Sequence, residues 1–315
     1  MSPQTDRPRV FSPQPIKFYD DARHRTGYFS HVETWYYDAV FENGYSIVSL
    51  VNVIHLGRIG TVLSGIFIYK DGVLLKHIRK RYPLRSFHGS EETLHIILQG
   101  KEIIKGSVTT ENNWIYQINR GDQENGFQLK FSKTMEPFKG KTFLGSWLVI
   151  PGFSVTGTLT VEGKKMTVKG SGYHDHNIYP LRAPFVTRGY FFGKIPLDNA
   201  KVIWAQVQKN KHTAETLVIL AENKKFTSIH PDNIQFTVEE QRKDHRKMMP
   251  YTNHLKTTDH QLTLDVRFAP ESYHHIGILG AHYWRYHVKY KGTYTRENNS
   301  STISDTDVAE YLHFF

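Results

Sequence analysis

The stretch TWYYDAVFENGYSIVSLVNVI, residues 34–54, decides the fold class of this chain. Two runs rich in aromatic and β-branched residues, 34–41 and 45–54, flank Glu42-Asn43-Gly44. Asn-Gly between strand-like runs is a strong hairpin signal, because both central residues of such a turn adopt positive φ. The stretch therefore predicts two antiparallel strands joined by a tight turn.

The same pattern repeats along the rest of the chain. Further tight turns are predicted at Asp71-Gly72, at Gly100 and at Glu162-Gly163-Lys164. Strand-like runs then continue at 186–195, 200–209, 215–222, 234–240, 261–268 and 282–295. Many short strands joined by hairpins are typical of β-barrels or sandwiches. We therefore predict an all-β chain, and its 315 residues suit two domains of about 150 residues each.

Proline residues mark the expected boundary between the two domains. The polar, proline-rich N-terminus is predicted to be a flexible segment over 1–22. Pro180 and Pro184 interrupt the strand pattern, so we expect one barrel over 23–179 and a second over 180–315.

A weak internal echo supports a duplicated barrel. Trp147 leads through a strand-like run to Gly157-Thr158, and Trp284 leads in the same way to Gly292-Thr293.

Two stretches depart from the strand pattern. Residues 303–315 are predicted to form a short C-terminal helix that Asp305 could cap. The residues sharing its apolar face would be Val308, Tyr311, Leu312 and Phe315. The charged, histidine-rich segment 241–260 is predicted to be a long loop or a lid.

Composition limits the classes of function. The chain has no cysteine, which excludes disulfides, thiolate zinc sites and cysteine nucleophiles. The formal net charge is +10, but the lysines and arginines are scattered, which favours a solvated basic surface. We expect no nucleic-acid partner, since that needs a clustered basic face. A peripheral membrane contact is the alternative, and it would suit a substrate that lives in lipid.

The N-terminal sequence bears on the compartment. No run approaches the roughly 18 apolar residues of a membrane span. The N-terminus carries no apolar stretch of the secretory type, so a cytoplasmic protein is expected.

The stretch GSGYHDHNIYP, residues 170–180, is the main candidate for a functional site. Alternate side chains of a strand share a face. One face would carry Tyr173, Asp175 and Asn177. The other face would carry His174 and His176. Gly170 and Gly172 make a bulge possible, and a bulge would change this facing.

Three interpretations of this stretch compete. His174 and His176 could form a His-x-His metal pair, which needs a third ligand elsewhere. Asp175 could act as an acid if burial keeps it protonated, although a nearby cationic histidine would lower its pKa. The third interpretation is a hydrogen-bonded cluster that ties two domains together.

The sequence resembles the hydroxyneurosporene synthase (carotenoid 1,2-hydratase) family. GSGYHDHNIY is similar to that family's G-x-G-Y-H-D-H-N-W signature, and ETWYYDAVF (33–41) is similar to its early Glu-Trp-Trp-Tyr strand. Trp147 and the C-terminal YWRYHVKYKGTY (283–294) also fit. The wider group includes attachment-protein-like lipocalins and lipocalin-like Diels–Alderases, built from two lipocalin-like barrels in tandem.

The resemblance implies an apolar pocket at or between the barrels, with no metal and no organic cofactor. Carried over by motif, Asp175 is the acid that protonates a double bond, and Tyr173 and His176 support it. Aromatic rings that stabilise the resulting cation are expected in the pocket. The other expected substrate-binding residues are Trp35, Tyr36, Trp147, His174, Asn177, Trp204 and Trp284.

The sequence departs from the hydratases at two places. They carry His-x-Trp ahead of the signature, where this chain has Gly145-Ser146-Trp147, and a tryptophan where it has Ile178. Fewer groups that handle water favour cyclisation or isomerisation of a polyene over hydration.

Three functions follow from these observations. The first is a cofactor-independent enzyme in which Asp175 assists cyclisation, isomerisation or hydration of an isoprenoid or polyketide polyene. The second is a pericyclic cyclase of the Diels–Alderase type, which needs only hydrogen bonds to an activating carbonyl. The third is a lipocalin-type carrier of an apolar molecule.

Overall fold

A computed structural model describes residues 11–24, 26–27, 29–210, 212–278, 280–297 and 299–314 of the chain. The protein is 73% strand and 5% helical, which confirms the all-β prediction. Its strands form two antiparallel sheets, curled into a near-barrel and a half-barrel.

The first sheet contains thirteen strands in the order β5-β4-β3-β2-β13-β12-β10-β9-β8-β7-β6, and β11 pairs with both β1 and β12. The strands are β1 (Gln14–Pro15), β2 (Ser30–Phe41), β3 (Tyr45–Leu56), β4 (Ile59–Lys70), β5 (Val73–Pro83), β6 (Phe87–Gly89), β7 (His95–Leu98), β8 (Lys101–Val108), β9 (Trp114–Gly121), β10 (Asn125–Lys133), β11 (Phe138–Lys141), β12 (Ser146–Val161) and β13 (Lys164–Pro180). Two 3-10 helices lie beside it, Phe18–Asp21 and Leu84–Ser86.

The second sheet contains nine strands in the order β17-β16-β15-β14-β22-β21-β20-β19-β18. The strands are β14 (Gly189–Leu197), β15 (Ala200–Gln208), β16 (Ala214–Glu222), β17 (Phe226–Ser228), β18 (Ile234–Asp244), β19 (Lys247–Thr258), β20 (Thr263–Ile278), β21 (Ala281–Arg296) and β22 (Asn299–His313). One helical turn, α1 (Ala183–Val186), joins the sheets, and a 3-10 helix, Pro231–Asn233, precedes β18. The division into domains at residue 179 remains a prediction.

The predicted hairpins are confirmed. Asn43-Gly44 joins β2 to β3, Asp71-Gly72 joins β4 to β5, and Glu162-Gly163 joins β12 to β13. Asp71, Gly72, Glu162 and Gly163 all have positive φ, as such turns require. Local turn chemistry therefore sets the register of the long strands that carry the site.

The predicted C-terminal helix is wrong. Residues 299–313 form β22, which lies between β14 and β21 and pairs with both. The sequence has apolar residues at both helical and strand spacing. The ladder with β21 along the whole of β22 and the shorter ladder with β14 over 309–313 decide for the strand, because they satisfy its amide and carbonyl groups. Val308 and Tyr311, assigned to one helical face, lie on opposite faces of the strand. Phe315 lies outside the described residues.

The predicted long loop at 241–260 is also wrong. It is a hairpin of β18 and β19, which turns at His245 and Arg246, both with positive φ. The charged side chains of this segment are compatible with a strand, because β18 is the edge strand of the second sheet and its alternate residues face solvent.

The N-terminal segment packs against the first sheet from residue 11 onward. Phe11 is buried against Phe138 and Trp147, and Asp21 is fully buried. Within the predicted flexible segment 1–22, residues 11–22 are thus part of the folded structure, and residues 1–10 lie outside the described part of the chain.

The sequence echo corresponds to equivalent places in the two sheets. Gly157 lies opposite Leu129 and Val168, and Gly292 lies opposite Val266 and Ile303. A Cβ atom at Gly157 would lie 2.2 Å from the carbonyl oxygen of Gln128, and one at Gly292 would lie 2.0 Å from that of Asp265. A neighbouring strand therefore crosses each glycine too closely for a side chain.

The two sheets meet through a hydrophobic cluster that both of them share and through a buried ion pair. The cluster takes residues from both sheets, including Tyr36 and Trp147 from the first and Phe192 and Tyr283 from the second. Beside it, Lys194 Nζ on β14 lies 2.6 Å from Asp38 Oδ1 on β2. Burial opposes the charge of Lys194, but Asp307 and Asp38 outweigh it and raise its pKa.

No helix of the described residues is long and apolar enough to cross a membrane.

Replacing Lys194 with methionine should destabilise the protein strongly. The variant leaves Asp38 and Asp307 buried without their shared cation, and breaking a buried pair costs about 3–5 kcal/mol. Urea unfolding measures the effect, with exposed Lys130→Met as the matched control, expected within about 0.5 kcal/mol of wild type. Equal stability of the two variants would contradict this account of the sheet contact.

Candidate active site

The strand β13 carries the predicted signature and presents it as alternation requires. It pairs with β2 without interruption from Gly170 to Pro180, and the irregularity lies instead in β12, between Ile150 and Phe153. Asp175 therefore points to one side of the first sheet, towards the second sheet. His174 and His176 point to the other side, into the interior of the first sheet.

The two histidines bind buried carboxylates. His174 Nε2 lies 2.9 Å from Asp21 Oδ2, and its Nδ1 lies 2.7 Å from the carbonyl oxygen of Tyr36. His176 Nδ1 lies 3.2 Å from Asp21 Oδ1, and its Nε2 lies 3.0 Å from Glu33 Oε1. Both carboxylates are fully buried, so each histidine side chain links β13 to the N-terminal segment or to β2.

The charges of this cluster follow from its contacts. Burial opposes the charged form of His176, but hydrogen bonds to Asp21 and Glu33 outweigh burial and raise its pKa to about 9. Burial also raises the pKa of Asp21, yet the charge of His174 and hydrogen bonds to both histidines hold it at about 2. A histidine that donates from both ring nitrogens has no lone pair for a metal ion. His176 in this doubly protonated form cannot bind a metal ion, but its ring nitrogen, His24 and Glu33 offer three possible ligand atoms within 4.8 Å of one another. The metal interpretation therefore stays a prediction.

A cavity of about 510 Å³ lies on the other face of β13, between the two sheets. Most of its walls are apolar. The first sheet contributes Val32, Tyr36, Leu50, Ile54, Leu63 and Trp147, and the second contributes Tyr190, Phe192, Val207, Tyr283 and Leu312. Asp175, Asn177 and Glu310 are among the few polar groups that reach it. An apolar cavity with a few convergent polar groups is the usual form of a small-molecule site.

Asp175 is buried in the cavity wall and makes only neutral contacts. Tyr173 Oη donates to its Oδ2 at 2.9 Å, Asn177 Nδ2 donates to its Oδ1 at 2.7 Å, and Trp147 Nε1 lies 3.4 Å from Oδ2. Burial raises the pKa of Asp175 to about 7, against the lowering effects of the His174 charge and of the Tyr173 hydrogen bond. Asp175 can therefore hold a proton near neutral pH, as a general acid must.

A second carboxyl group reaches the same cavity. Glu310 on β22 accepts a hydrogen bond from Arg285 Nη1 at 3.1 Å, and the same nitrogen donates to Tyr36 Oη at 2.6 Å. Burial raises the pKa of Glu310 although Arg285 opposes the rise. Unlike Asp175, Glu310 has a cation in direct contact.

Glu310 was missed from the sequence because β22 was predicted to be a helix. The internal echo contains the signal that could have found it. Asp175 lies seven residues beyond Val168, and Glu310 lies seven residues beyond Ile303. Val168 and Ile303 face the equivalent glycines, Gly157 and Gly292. The two carboxyl groups therefore occupy equivalent positions in the two sheets.

The structure brings some of the predicted site residues together and separates the others. Tyr36, Trp147, Asp175 and Asn177 line the cavity, and Tyr173 contacts Asp175 from within the wall.

Five predicted residues lie elsewhere. Trp35 is in the core of the first sheet, and Trp204 and Trp284 are in the core of the second. His174 and His176 lie on the opposite face of β13. Each of the five residues is next in sequence to a residue that faces the cavity. Because successive side chains of a strand point to opposite faces, all five point away from the cavity.

The two departures from the hydratase pattern affect the cavity differently. Gly145 and Ser146 both line it beside Trp147, so no imidazole stands where the resembled hydratases have one. Ile178 is an even-numbered residue of β13, like the histidines, and is not part of the cavity wall.

Solved structures share this architecture. An AttH-like protein from Nitrosomonas europaea is 12% identical, with a TM-score of 0.70 over 96% of this chain and 97% of that one. Kievitone hydratase from Nectria haematococca is 11% identical, with a TM-score of 0.61 over 95% and 93%. CghA with Sch210972 is 9% identical, with a TM-score of 0.62 over 97% and 98%.

This chain therefore has the tandem lipocalin-like fold. The fold implied by the sequence resemblance is thereby confirmed. No protein-family model matches the chain, and no curated protein matches its sequence.

Asp175→Asn should change how stability depends on pH. The folded-state pKa of Asp175 is raised to about 7, so its contribution to stability is complete below about pH 4 and is lost as the pH rises to about 7. As the pH rises from about 4 to about 7, the free energy of unfolding of the variant should therefore increase by about 2–4 kcal/mol relative to that of wild type. Urea unfolding at several pH values measures this gain.

Asp122→Asn is the matched control. Asp122 is exposed, and hydrogen bonds from backbone amides of Asn125 and Glu124 lower its pKa. Its contribution to stability is therefore already present above about pH 4, and the difference between its variant and wild type should stay nearly constant from about pH 4 to about pH 7. A difference for Asp175→Asn that does not change with pH would contradict the raised pKa.

Proposed function

We propose that the protein is a cofactor-independent enzyme that acts on an apolar polyene of isoprenoid or polyketide type, with Asp175 as the acid. The observation that carries the proposal is a buried carboxyl group whose pKa is raised to about 7, in the wall of an apolar cavity of about 510 Å³. Kievitone hydratase shares the fold, which supports an enzyme that changes a double bond.

The proposed first step is transfer of the Asp175 proton to one carbon of a double bond. The O–H bond of the acid breaks as a C–H bond forms, which leaves a carboxylate and a carbocation. Aromatic faces attract cations, and Tyr36 and Trp147 lie beside Asp175 in the cavity wall. Tyr173 and Asn177 hold the carboxyl group in place and stabilise the new carboxylate by hydrogen bonds.

Three fates of the cation correspond to the three reactions. Attack by a second double bond closes a ring, loss of a neighbouring proton shifts the double bond, and capture of water hydrates the substrate. In each case one proton returns to Asp175, so the acid is regenerated. The apolar walls beside Gly145 and Ser146 favour cyclisation or isomerisation, because no imidazole stands there to position water.

A pericyclic cyclase is the second candidate. Asn177 Nδ2 lines the cavity and donates one of its two hydrogens to Asp175. Its second hydrogen can polarise a carbonyl group that activates a diene partner. In this case, no proton enters the product.

Incubation with an apolar extract of the source cells in heavy water tests these candidates. The acid mechanism predicts a product that carries deuterium, and a loss of product in Asp175→Asn of about 10²-fold or more. Mass spectrometry measures both, with Asp122→Asn as the control that should keep wild-type turnover.

The other outcomes are distinct. Full turnover by Asp175→Asn would contradict the role of this residue. A new isomer without deuterium would favour the pericyclic reaction, and an extract compound retained unchanged would indicate a carrier.

A further inference from the structure

A second cavity lies inside the curve of the first sheet. It has a volume of about 570 Å³ and is lined by inward-facing side chains of β4, β5, β9 and β10 and by residues near the ends of β8, β12 and β13. It is separate from the proposed active site. Ser64 on β4 faces this cavity, and the adjacent Leu63 faces the other one.

Arg120 lies buried in the wall of this second cavity. It stands on the inward face of β9, at the end of a buried series formed by Trp114, Tyr116 and Ile118. Its guanidinium group crosses the interior of the sheet. Nη1 donates to Ser49 Oγ at 2.8 Å, and Nη2 donates to Ser64 Oγ at 2.7 Å.

The charge of Arg120 has no counter-ion in the described part of the chain. Its remaining hydrogen bonds go to the carbonyl oxygens of Leu50 and Gly65, both at 3.4 Å, so every acceptor is neutral. Burial lowers its pKa to about 10, and among the described residues only Tyr82 opposes this effect. A buried charge is costly unless a partner compensates it, which indicates that an anion belongs beside this group.

The rim of the cavity is also cationic. Lys80, Lys101 and Lys165 line it, are exposed, and form no ion pair with any described residue. Two carboxylates share the rim. Glu102 lies 2.8 Å from His95 and 3.7 Å from Lys105. Asp122 accepts from the backbone amides of Glu124 and Asn125, and the charges of Lys80 and Lys101 help to lower its pKa. Neither contacts Arg120, so the cavity has four cationic and two anionic side chains.

We propose that this cavity binds a small organic anion that carries two or more negative charges, a polycarboxylate or an organic phosphate. One anionic group binds the guanidinium of Arg120, and another lies among Lys80, Lys101 and Lys165. The hydrocarbon part of the ligand packs on Ile66, Ile78 and Phe127, which line the same cavity.

A purely structural role for Arg120 makes a different prediction. Its bonds to β3 and β4 join strands that lie far from β9 in the order of the sheet, and they could serve only to close the barrel. In that case the rim lysines have no function, and removing them leaves anion binding unchanged.

Calorimetric titration with citrate and with inorganic pyrophosphate at low salt tests the proposal. The full-length protein should bind at least one of them at a single saturable site. The triple variant Lys80→Gln/Lys101→Gln/Lys165→Gln should bind it at least tenfold more weakly. Arg120→Gln should abolish binding, and the lysine variant keeps the test decisive if Arg120→Gln does not fold. The stronger of the two probes distinguishes a polycarboxylate from a phosphate ligand.

The matched control is Lys130→Gln/Lys141→Gln/Lys224→Gln. These lysines are exposed, unpaired among the described residues and outside the cavity, and the control changes the net charge equally. Its affinity should stay within twofold of wild type. Equal weakening by both triple variants, or no saturable binding of either anion, would overturn the proposal. Because no turnover is measured, this result is independent of the proposed reaction.

Discussion

The buried ion pair between Lys194 and Asp38 is the contact on which the arrangement of the two sheets depends. It continues into a polar chain in which Asp38 accepts from Tyr36 Oη, and Tyr36 Oη in turn accepts from Arg285. Arg285 also pairs with Glu310. The cations between the sheets are therefore bound to Asp38, Asp307 and Glu310. Asp175 is left with neutral donors, and burial together with the negative charge of Glu310 then raises its pKa.

The two faces of β13 divide stability from chemistry. On the inner face, His174 and His176 bind carboxylates that burial alone would keep neutral, and the ionic cluster holds the strand in place. On the outer face, Tyr173 and Asn177 orient one carboxyl group towards an apolar space. The motif YHDHN needs both sets of residues, because a catalytic side chain is positioned only as well as the strand that carries it.

Sequence patterns predicted the parts of the structure that depend on local chemistry. Asn43-Gly44 and Asp71-Gly72 predicted their hairpins, and period-two alternation predicted which side chains of 173–177 share a face. The C-terminal strand was not predictable in this way, because its apolar residues fit a helix until the ladders with β14 and β21 form.

Long-range packing decided the remaining site residues. Trp35, Trp204 and Trp284 are aromatic residues in strands, as expected, but they face the sheet interiors. Nothing local distinguishes a face that meets another sheet from a face that closes a core. Arg120 shows the same limit, since its isolation from carboxylates becomes visible only when β9 is placed across from β3 and β4.

Infrared difference spectroscopy of wild type against Asp175→Asn, recorded from about pH 5 to about pH 9, tests the central claim most directly. A buried, protonated Asp175 predicts a carboxylic-acid C=O band in the wild type that is absent from the variant. The band should disappear with a midpoint near the pKa of about 7. A carboxylate signal for Asp175 already complete at about pH 5 would contradict the account, since no proton would then be available for the substrate.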